Sequence, residues 1–285
     1  MKVGVVGVGV MGGSLLLNLK ASRPDISIFA ISRGEKGQQW AMAHGADFAG
    51  DKIQDLPQDL DILFLTSPSH VLEDQAREID SWPGKALVSD MASAKGWIVP
   101  RLDQILGEKY LSCHPMCGSE KTGLEGARSD LYNGKAVILT PGPSSSDQAL
   151  KTLGKFWEDL NCKIVIKKPD EHDQAVAWVS HMPHLVIPAI LQAIHRAEDE
   201  KGSIFDVAGT GLRDVSRLAG SNPELWKDIF QENQNAVREA LEAMKEEIQV
   251  CLNILDLKDD AFSGKMVEYL EDAKKIRNSV GLNNI

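Results

Sequence analysis

The chain changes its hydrophobic texture near Pro169. Before that point apolar residues gather in short runs at 3–6, 26–31, 61–65, 86–88, 110–112, 136–139 and 163–166. Runs that are apolar on both faces belong to strands buried inside a sheet, not to strands with one wet face. Helical patterns lie between them; in 146–160, Leu150, Leu153, Phe156, Trp157 and Leu160 fall on one side. Strand–helix alternation of this kind predicts an α/β fold with a doubly wound, largely parallel sheet. Past Pro169 the spacing is helical. Residues 170–200 carry Val176, Val179, Leu185, Val186, Ile190 and Ile194, with Pro183 and Pro188 as expected kinks. Ser221-Asn222-Pro223 then opens an almost continuous stripe from Trp226 to Leu255, Asn233 among its members. One helix of about 33 residues would be about 50 Å long, more than a small domain needs, and points to a bundle or a subunit interface. The expected division is 1–168, a Rossmann-type domain, followed by 169–285, an all-α domain.

Length supports two domains, since 285 residues is long for one core. A net charge of −10 argues against nucleic acid or an anionic membrane as partner. No run of about 18 apolar residues, the length of a membrane span, stands out. The glycine-broken start lacks signal-peptide architecture. Cys113, Cys117, Cys162 and Cys251 show no CxxC or zinc-type spacing, so free thiols in a reducing cytoplasm are expected and no metal.

The first apolar run leads directly into Gly7-Val8-Gly9-Val10-Met11-Gly12 and then a helical segment. A GxGxxG between strand and helix is a dinucleotide fingerprint with a physical basis. Gly7 allows the tight turn, Gly9 lets a pyrophosphate approach the backbone, and Gly12 lets the helix pack closely, with the helix N-terminus supplying N–H donors. The second strand ends at Ser32-Arg33. An NAD-binding protein usually carries a carboxylate there, about 20 residues past the glycines. Serine and arginine instead suit a 2′-phosphate, so NADP is expected, with NAD possible and Glu35 nearby as the opposing feature. Ser67 follows the third long run, and Ser93 the fourth, in Ser89-Asp90-Met91-Ala92-Ser93-Ala94-Lys95.

Next comes His114-Pro115-Met116-Cys117-Gly118-Ser119-Glu120. Proline keeps the residue before it out of the helical region. His114 is therefore expected on a loop at a strand's C-terminal end, where α/β folds place their chemistry. In the helical half, Ser180-His181-Met182-Pro183-His184 puts two histidines on roughly one face; His181 reads as packed and His184 as facing a ligand. Arg213 and Arg217, i and i+4, read as a clamp for a carboxylate, against the alternative of an exposed charged turn.

These motifs, in this order and over nearly the whole chain, resemble the prephenate/arogenate dehydrogenases of tyrosine biosynthesis. The resemblance rests on the glycine loop, Asp90-x-x-Ser93-x-Lys95, the His114–Glu120 loop, His172-Asp173, Ser180-His181-x-Pro183-His184 and Gly211-x-Arg213-Asp214-x-Ser216-Arg217. It departs at Cys117 and Met182, where alanine and leucine are expected. It implies a nucleotide-binding domain, a helical domain that dimerises, and NAD(P)-dependent oxidative decarboxylation of a cyclohexadienol. His114 would accept the hydroxyl proton or polarise it, and Ser93 would hold the hydroxyl or the imidazole in register. Arg217 would take the ring carboxylate, with Arg213 and His184 nearer the side chain. No segment corresponds to a regulatory ACT domain or a fused chorismate mutase. Glu120 could attract an ammonium group, or be paired with Arg213 or Lys121 and meet neither substrate, whereas His184 as a hydrogen-bond donor suits a keto acid; the balance favours prephenate over arogenate, with dual cyclohexadienyl use as an alternative. Two other readings are weaker. A β-hydroxyacid-type dehydrogenase would want a lysine on the interdomain helix, which 170–196 lacks. A non-catalytic NADP sensor would have no use for His114, Ser93 and Arg217 together.

Overall fold

The computed structural model describes residues 1–119 and 121–280. In order they form β1 (Lys2–Val6), α1 (Val10–Ser22), β2 (Ser27–Ile31), α2 (Glu35–Ala43), β3 (Phe48–Gly50), β4 (Ile62–Leu65), α3 (Leu72–Ser81), β5 (Leu87–Asp90), α4 (Ile98–Leu106), β6 (Ser112–Pro115), β7 (Ala136–Thr140), α5 (Asp147–Asp159) and β8 (Lys163–Ile166). Helices α6 (Pro169–Val176), α7 (Met182–Lys201), α8 (Thr210–Ser216), α9 (Pro223–Glu232), α10 (Gln234–Leu255) and α11 (Asp259–Ser279) follow.

Strands β1 to β5 make a parallel sheet in the order β3-β2-β1-β4-β5, the arrangement of a nucleotide-binding half-fold. Its central strands are buried on both faces, as their composition requires. In β4, Ile62 and Phe64 join one apolar cluster with Leu15, Leu16 and Leu19 of α1, while Leu63 and Leu65 join the opposite one with Leu72 and Ile79 of α3.

The later strands depart from the expected single series. β6, β7 and β8 form a second sheet, β6 antiparallel to β7 and β7 parallel to β8. The return from β6 to β7, residues 116–135, is irregular and 3₁₀-helical, with no crossover helix among the described residues. A bridge from Tyr110 to Val88 and the Leu111 N–H donating to the Val88 carbonyl (3.0 Å) attach this sheet beside β5. Helix α5, capped by the Ser146 hydroxyl accepting from the Ala149 N–H (3.1 Å), covers it and packs Phe156 tilted and Trp157 edge-on against Phe64.

By packing, the chain divides into two compact units, Met1–Val237 and Arg238–Ile285. That division falls within α10, whereas the texture change at 168/169 marks the switch from sheet to helices. Two helix expectations are corrected. The turn at Ala177–His181, just ahead of Pro183, is a widened π turn, which lets the run absorb a residue that has no N–H. The long C-terminal helix is broken at Asn233, between α9 and α10. A third correction concerns membranes: the run Pro169–Lys201 is long and apolar enough to cross one by length and composition. Residues 175–195 contain prolines, histidines, serine and glutamine but no Asp, Glu, Lys or Arg, and these interruptions hid the run's length.

Candidate active site

Register alone aligns the sheet edge. Val6 pairs with Ile31 and Leu65, and Leu65 pairs with Asp90. The residues that leave these strands, Gly7, Ser32, Ser67 and Ser93, therefore share one edge. Gly7 sits at φ +101°, and a Cβ there would lie 2.7 Å from Ser67 Oγ. A Cβ on Gly12 would lie 2.1 Å from the Gly7 carbonyl oxygen, so helix α1 can pack this closely only with glycine. Gly9, by contrast, faces open space. It is the N-cap of α1 and no side chain caps that end, so the helix keeps free N–H donors. Closely packed glycines below an open, uncapped helix end are what a pyrophosphate needs. Ser67 is held by Gln75 Nε2 donating to its hydroxyl (2.9 Å). Ser32 half-buried and Arg33 exposed lie between β2 and α2, and Glu35 accepts from Gln39 (2.8 Å) along α2.

Beside this edge stands a dense polar cluster. Asp90 and Lys95 are fully buried and paired at 2.7 Å. Lys95 Nζ also donates to the Cys113 carbonyl (2.7 Å). Asp90 accepts from the Tyr110 and Ser112 hydroxyls (2.6 and 2.5 Å) and from the Ala92 N–H (2.8 Å). Burial opposes the ionisation of Asp90, yet Lys95 and these hydroxyls hold its carboxyl below the usual range. The pair thus joins the β5–α4 loop to the strand that carries His114.

His114 is buried in β6 itself and not on the loop after it. Its Nδ1 lies 2.8 Å from His172 Nε2, and His172 Nδ1 lies 2.8 Å from Asp173 Oδ1. Asp173 in turn accepts from the Lys95 and Gly96 backbone N–H groups, both at 2.7 Å. Asn233, at the break between α9 and α10, donates to the Asp173 carbonyl (2.8 Å) and to His181 Nδ1 (3.2 Å). His181 meets Trp226 edge-on, and His184 stacks on the same indole at 3.8 Å. The cluster runs without a gap from His114 to His184. Ser93, half-buried, is two residues before Lys95.

Burial sets the protonation of these rings. It lowers His114 well below the usual imidazole range, assisted by His172, Lys95 and His181. It also lowers His172, against the pull of Asp173, and takes His181 down to about 4. All three are neutral at pH 7. His184 is lowered by burial and by the charge of Arg217, which places that arginine near it. Its Nδ1 donates to the Ser180 carbonyl (2.9 Å). The neutral ring therefore offers Nε2 as an acceptor, not the donor expected from the sequence.

Arg213 lies on α8, a turn before Arg217 at that helix's C-cap, is exposed, and joins the cluster by no contact among the described residues. Glu120, the remaining expected site residue, lies outside the described residues. His172, Asp173 and Lys95 entered the sequence reading only through a resemblance, and Asn233 and Trp226 only as members of an apolar stripe. The signal for Asn233 was present, because an amide inside such a stripe must find partners.

The chain matches the family model described as "Prephenate dehydrogenase, nucleotide-binding domain" over residues 15–166, and "Prephenate dehydrogenase, dimerization domain" over 168–272. It is 27% identical to prephenate dehydrogenase of Bacillus subtilis (strain 168), over 98% of this chain and 76% of that protein. The crystal structure of prephenate dehydrogenase from A. aeolicus, in complex with hydroxyphenyl propionate and NAD+, matches with a TM-score of 0.89 and 30% identity over 98% of both chains. That of Synechocystis arogenate dehydrogenase matches with a TM-score of 0.80 and 28% identity over 100% of both.

Proposed function

The chain belongs to the prephenate dehydrogenase family of NAD(P)-dependent oxidoreductases, and on that premise we propose that it oxidatively decarboxylates prephenate to 4-hydroxyphenylpyruvate in L-tyrosine biosynthesis. The observation that carries the reading is a neutral, buried histidine, His114, beside the sheet edge that holds an open glycine loop. A nicotinamide bound at the glycine loop would supply the acceptor for the hydride that leaves ring carbon C4. His114 accepts the C4 hydroxyl proton as that hydride leaves. It returns the proton to the same oxygen once CO2 has left C1 and the ring has become aromatic. Ser93 holds the hydroxyl in register. Arg217 holds the ring carboxylate, with Arg213 and His184 toward the side-chain end. Aromatisation supplies the driving force. The functional division remains 1–168 for cofactor and 169–285 for substrate and dimerisation.

A specific observation favours a second substrate. Arogenate carries an ammonium where prephenate carries a keto oxygen, and the acceptor Nε2 of neutral His184 suits the ammonium. Comparing kcat/KM for prephenate and arogenate with the purified protein decides between them; a ratio above one for prephenate is expected.

Arg217→Ala is expected to raise KM for the cyclohexadienol about 10- to 100-fold, the worth of hydrogen bonds to a charged group, with a smaller effect on kcat. Lysine at that position restores part of the affinity, since it lacks the fork. Unchanged KM would make the arginine structural.

For the cofactor, Gly7, Gly9, Gly12 and the N-terminus of α1 would hold the pyrophosphate, with Ser67 beside them, and Ser32 and Arg33 the 2′-phosphate. NADP is therefore the preferred cofactor. Arg33→Ala is expected to raise KM for NADP+ about tenfold or more and to leave NAD+ within about twofold. Equal losses with both cofactors would remove the preference.

A homodimer through the helical half is supported by apolar side chains that the single chain leaves exposed, among them Ile248, Leu252 and Leu255 of α10 and Val267, Leu270 and Ile276 of α11. The apolar run in α6 and α7 belongs to the same half. Its buried His172, Asp173 and His181 tie that run to the sheet, which fits a protein partner better than lipid. Four free cysteines fit a cytoplasmic setting.

A further inference from the structure

We infer that His172, fixed by Asp173, locks His114 as the Nδ1–H tautomer, so that His114 Nε2 is the bare nitrogen available to the substrate hydroxyl. The inference deepens the function proposed above and rests on it for its kinetic consequences, though not for its geometry. His172 is a positioning residue, because it acts through His114.

Two backbone groups have a fixed polarity. The Lys95 N–H donates to Asp173 Oδ1 and the Gly96 N–H to Oδ2, each at 2.7 Å. Both carboxylate oxygens are thus acceptors, and the 2.8 Å contact from Oδ1 to His172 Nδ1 must contain a proton carried by the ring. A neutral imidazole has one N–H and one lone pair. His172 Nε2 therefore accepts. The proton in the 2.8 Å contact between His172 Nε2 and His114 Nδ1 then belongs to His114, and its Nε2 keeps the lone pair. An aspartate and two peptide groups on the β5–α4 loop thereby set the chemistry of a ring on β6.

The same chain makes the base sensitive to acid in a particular way. Groups acting on His114 are His172 on α6, Lys95 from the β5–α4 loop and His181 from the π turn. Groups acting on His172 are Asp173 on its own helix, Lys95, and Asp90 on β5; His172 also acts on His181. Asp173 and Asp90 draw a proton to His172, whereas no carboxylate is among the groups acting on His114, so the pair's first added proton settles on His172 Nε2. That nitrogen then donates, His114 Nδ1 must accept, and the His114 proton moves to Nε2, where it blocks the base. Activity is full above this step and lost as pH falls through it.

The test uses the full-length protein, two variants and two readouts. His172→Gln keeps a carbonyl acceptor for His114 Nδ1–H but takes no proton in the working range. His172→Phe removes the acceptor. With the preferred substrate, His172→Phe is expected to lower kcat about 100-fold or more with KM within about threefold. His172→Gln is expected to keep kcat within about tenfold of the parent and to carry the acidic limb of its kcat/KM profile to lower pH. A merely structural role would leave that limb in place. Nitrogen-15 correlation spectra of histidine-labelled protein read the tautomer without turnover, the His114 signals being assigned by their loss in His114→Asn. They are expected to show His114 protonated at Nδ1 in the parent and a mixture in His172→Phe. A His114 proton on Nε2 in the parent, a His172→Phe kcat near the parent's, or an unmoved limb in His172→Gln overturns the inference. Failure of the parent to turn over either cyclohexadienol counts against the proposed function instead, and the spectra still decide the tautomer.

Discussion

His114→Asn is expected to lower kcat by about two to four orders of magnitude, the usual worth of a positioned general base, with KM for both substrates changed by less than about threefold. The asparagine amide can still donate to His172 Nε2, so the hydrogen-bonded line through His172 to Asp173 keeps its acceptor satisfied. It cannot take a proton from an alcohol. Binding should survive because the glycine loop and the Arg217 region are built by other elements, β1–α1 and the end of α8 with the 3₁₀ turn after it. The parent's pH dependence carries the same signature. Burial lowers both His114 and His172, so the rate should persist below the usual imidazole range as pH falls. Steady-state kinetics from pH 5 to 8, with cofactor affinity measured by fluorescence, check both points. Near-parental turnover in His114→Asn would remove this residue from its role.

Lys95→Met is expected to cost about 3–5 kcal/mol of folding stability, the typical penalty for leaving half of a buried ion pair unpaired. Both partners are fully buried, and Asp90 would keep its hydroxyl and N–H donors but lose the cation paired with it. The sign with pH follows. In the parent, Asp90 has a lowered folded-state pKa, so its contribution is present at neutral pH and is lost on acidification through the carboxylate range. In Lys95→Met the buried carboxylate is unfavourable and its pKa rises, so the variant's deficit should shrink as pH falls and Asp90 protonates. Adding Asp90→Asn should recover a large part of the loss by removing the stranded charge, which makes the double-mutant cycle strongly non-additive. Urea denaturation at pH 7 and pH 5 measures all of this. Equal losses at both values would assign Lys95 a packing role only.

Much of this arrangement can be read from residue order. The run of Val3, Val5 and Val6 into Gly7-x-Gly9-x-x-Gly12 determines a strand, a turn and a helix locally, because each glycine answers a steric demand that neighbouring backbone imposes. Ser32, Ser67 and Ser93 could be placed on one edge because parallel register carries the ends of β2, β4 and β5 to the same side. What could not be read depends on contacts distant in sequence. The turn of β6 against β7 follows from the irregular return between them, and hydrophobic runs carry no direction. Asp173 meets Lys95 across 78 positions and Asn233 meets Asp173 across 60; no local spacing encodes either pair. The polarity of His184 differs from the sequence expectation for a local reason, since the Ser180 carbonyl four residues earlier accepts from its Nδ1–H only once the helix has formed.

In the proposed reaction the neutral imidazole of His114 couples hydride loss at C4 to loss of CO2 at C1. The most direct measurement follows purified protein with prephenate and NADP+, recording reduced nicotinamide, CO2 and aromatic product together. One CO2 and one 4-hydroxyphenylpyruvate per NADPH, with His114→Asn lowering all three rates equally, is the expected result. No nicotinamide reduction with prephenate or arogenate under either NAD+ or NADP+, or reduction without CO2 release, would contradict it.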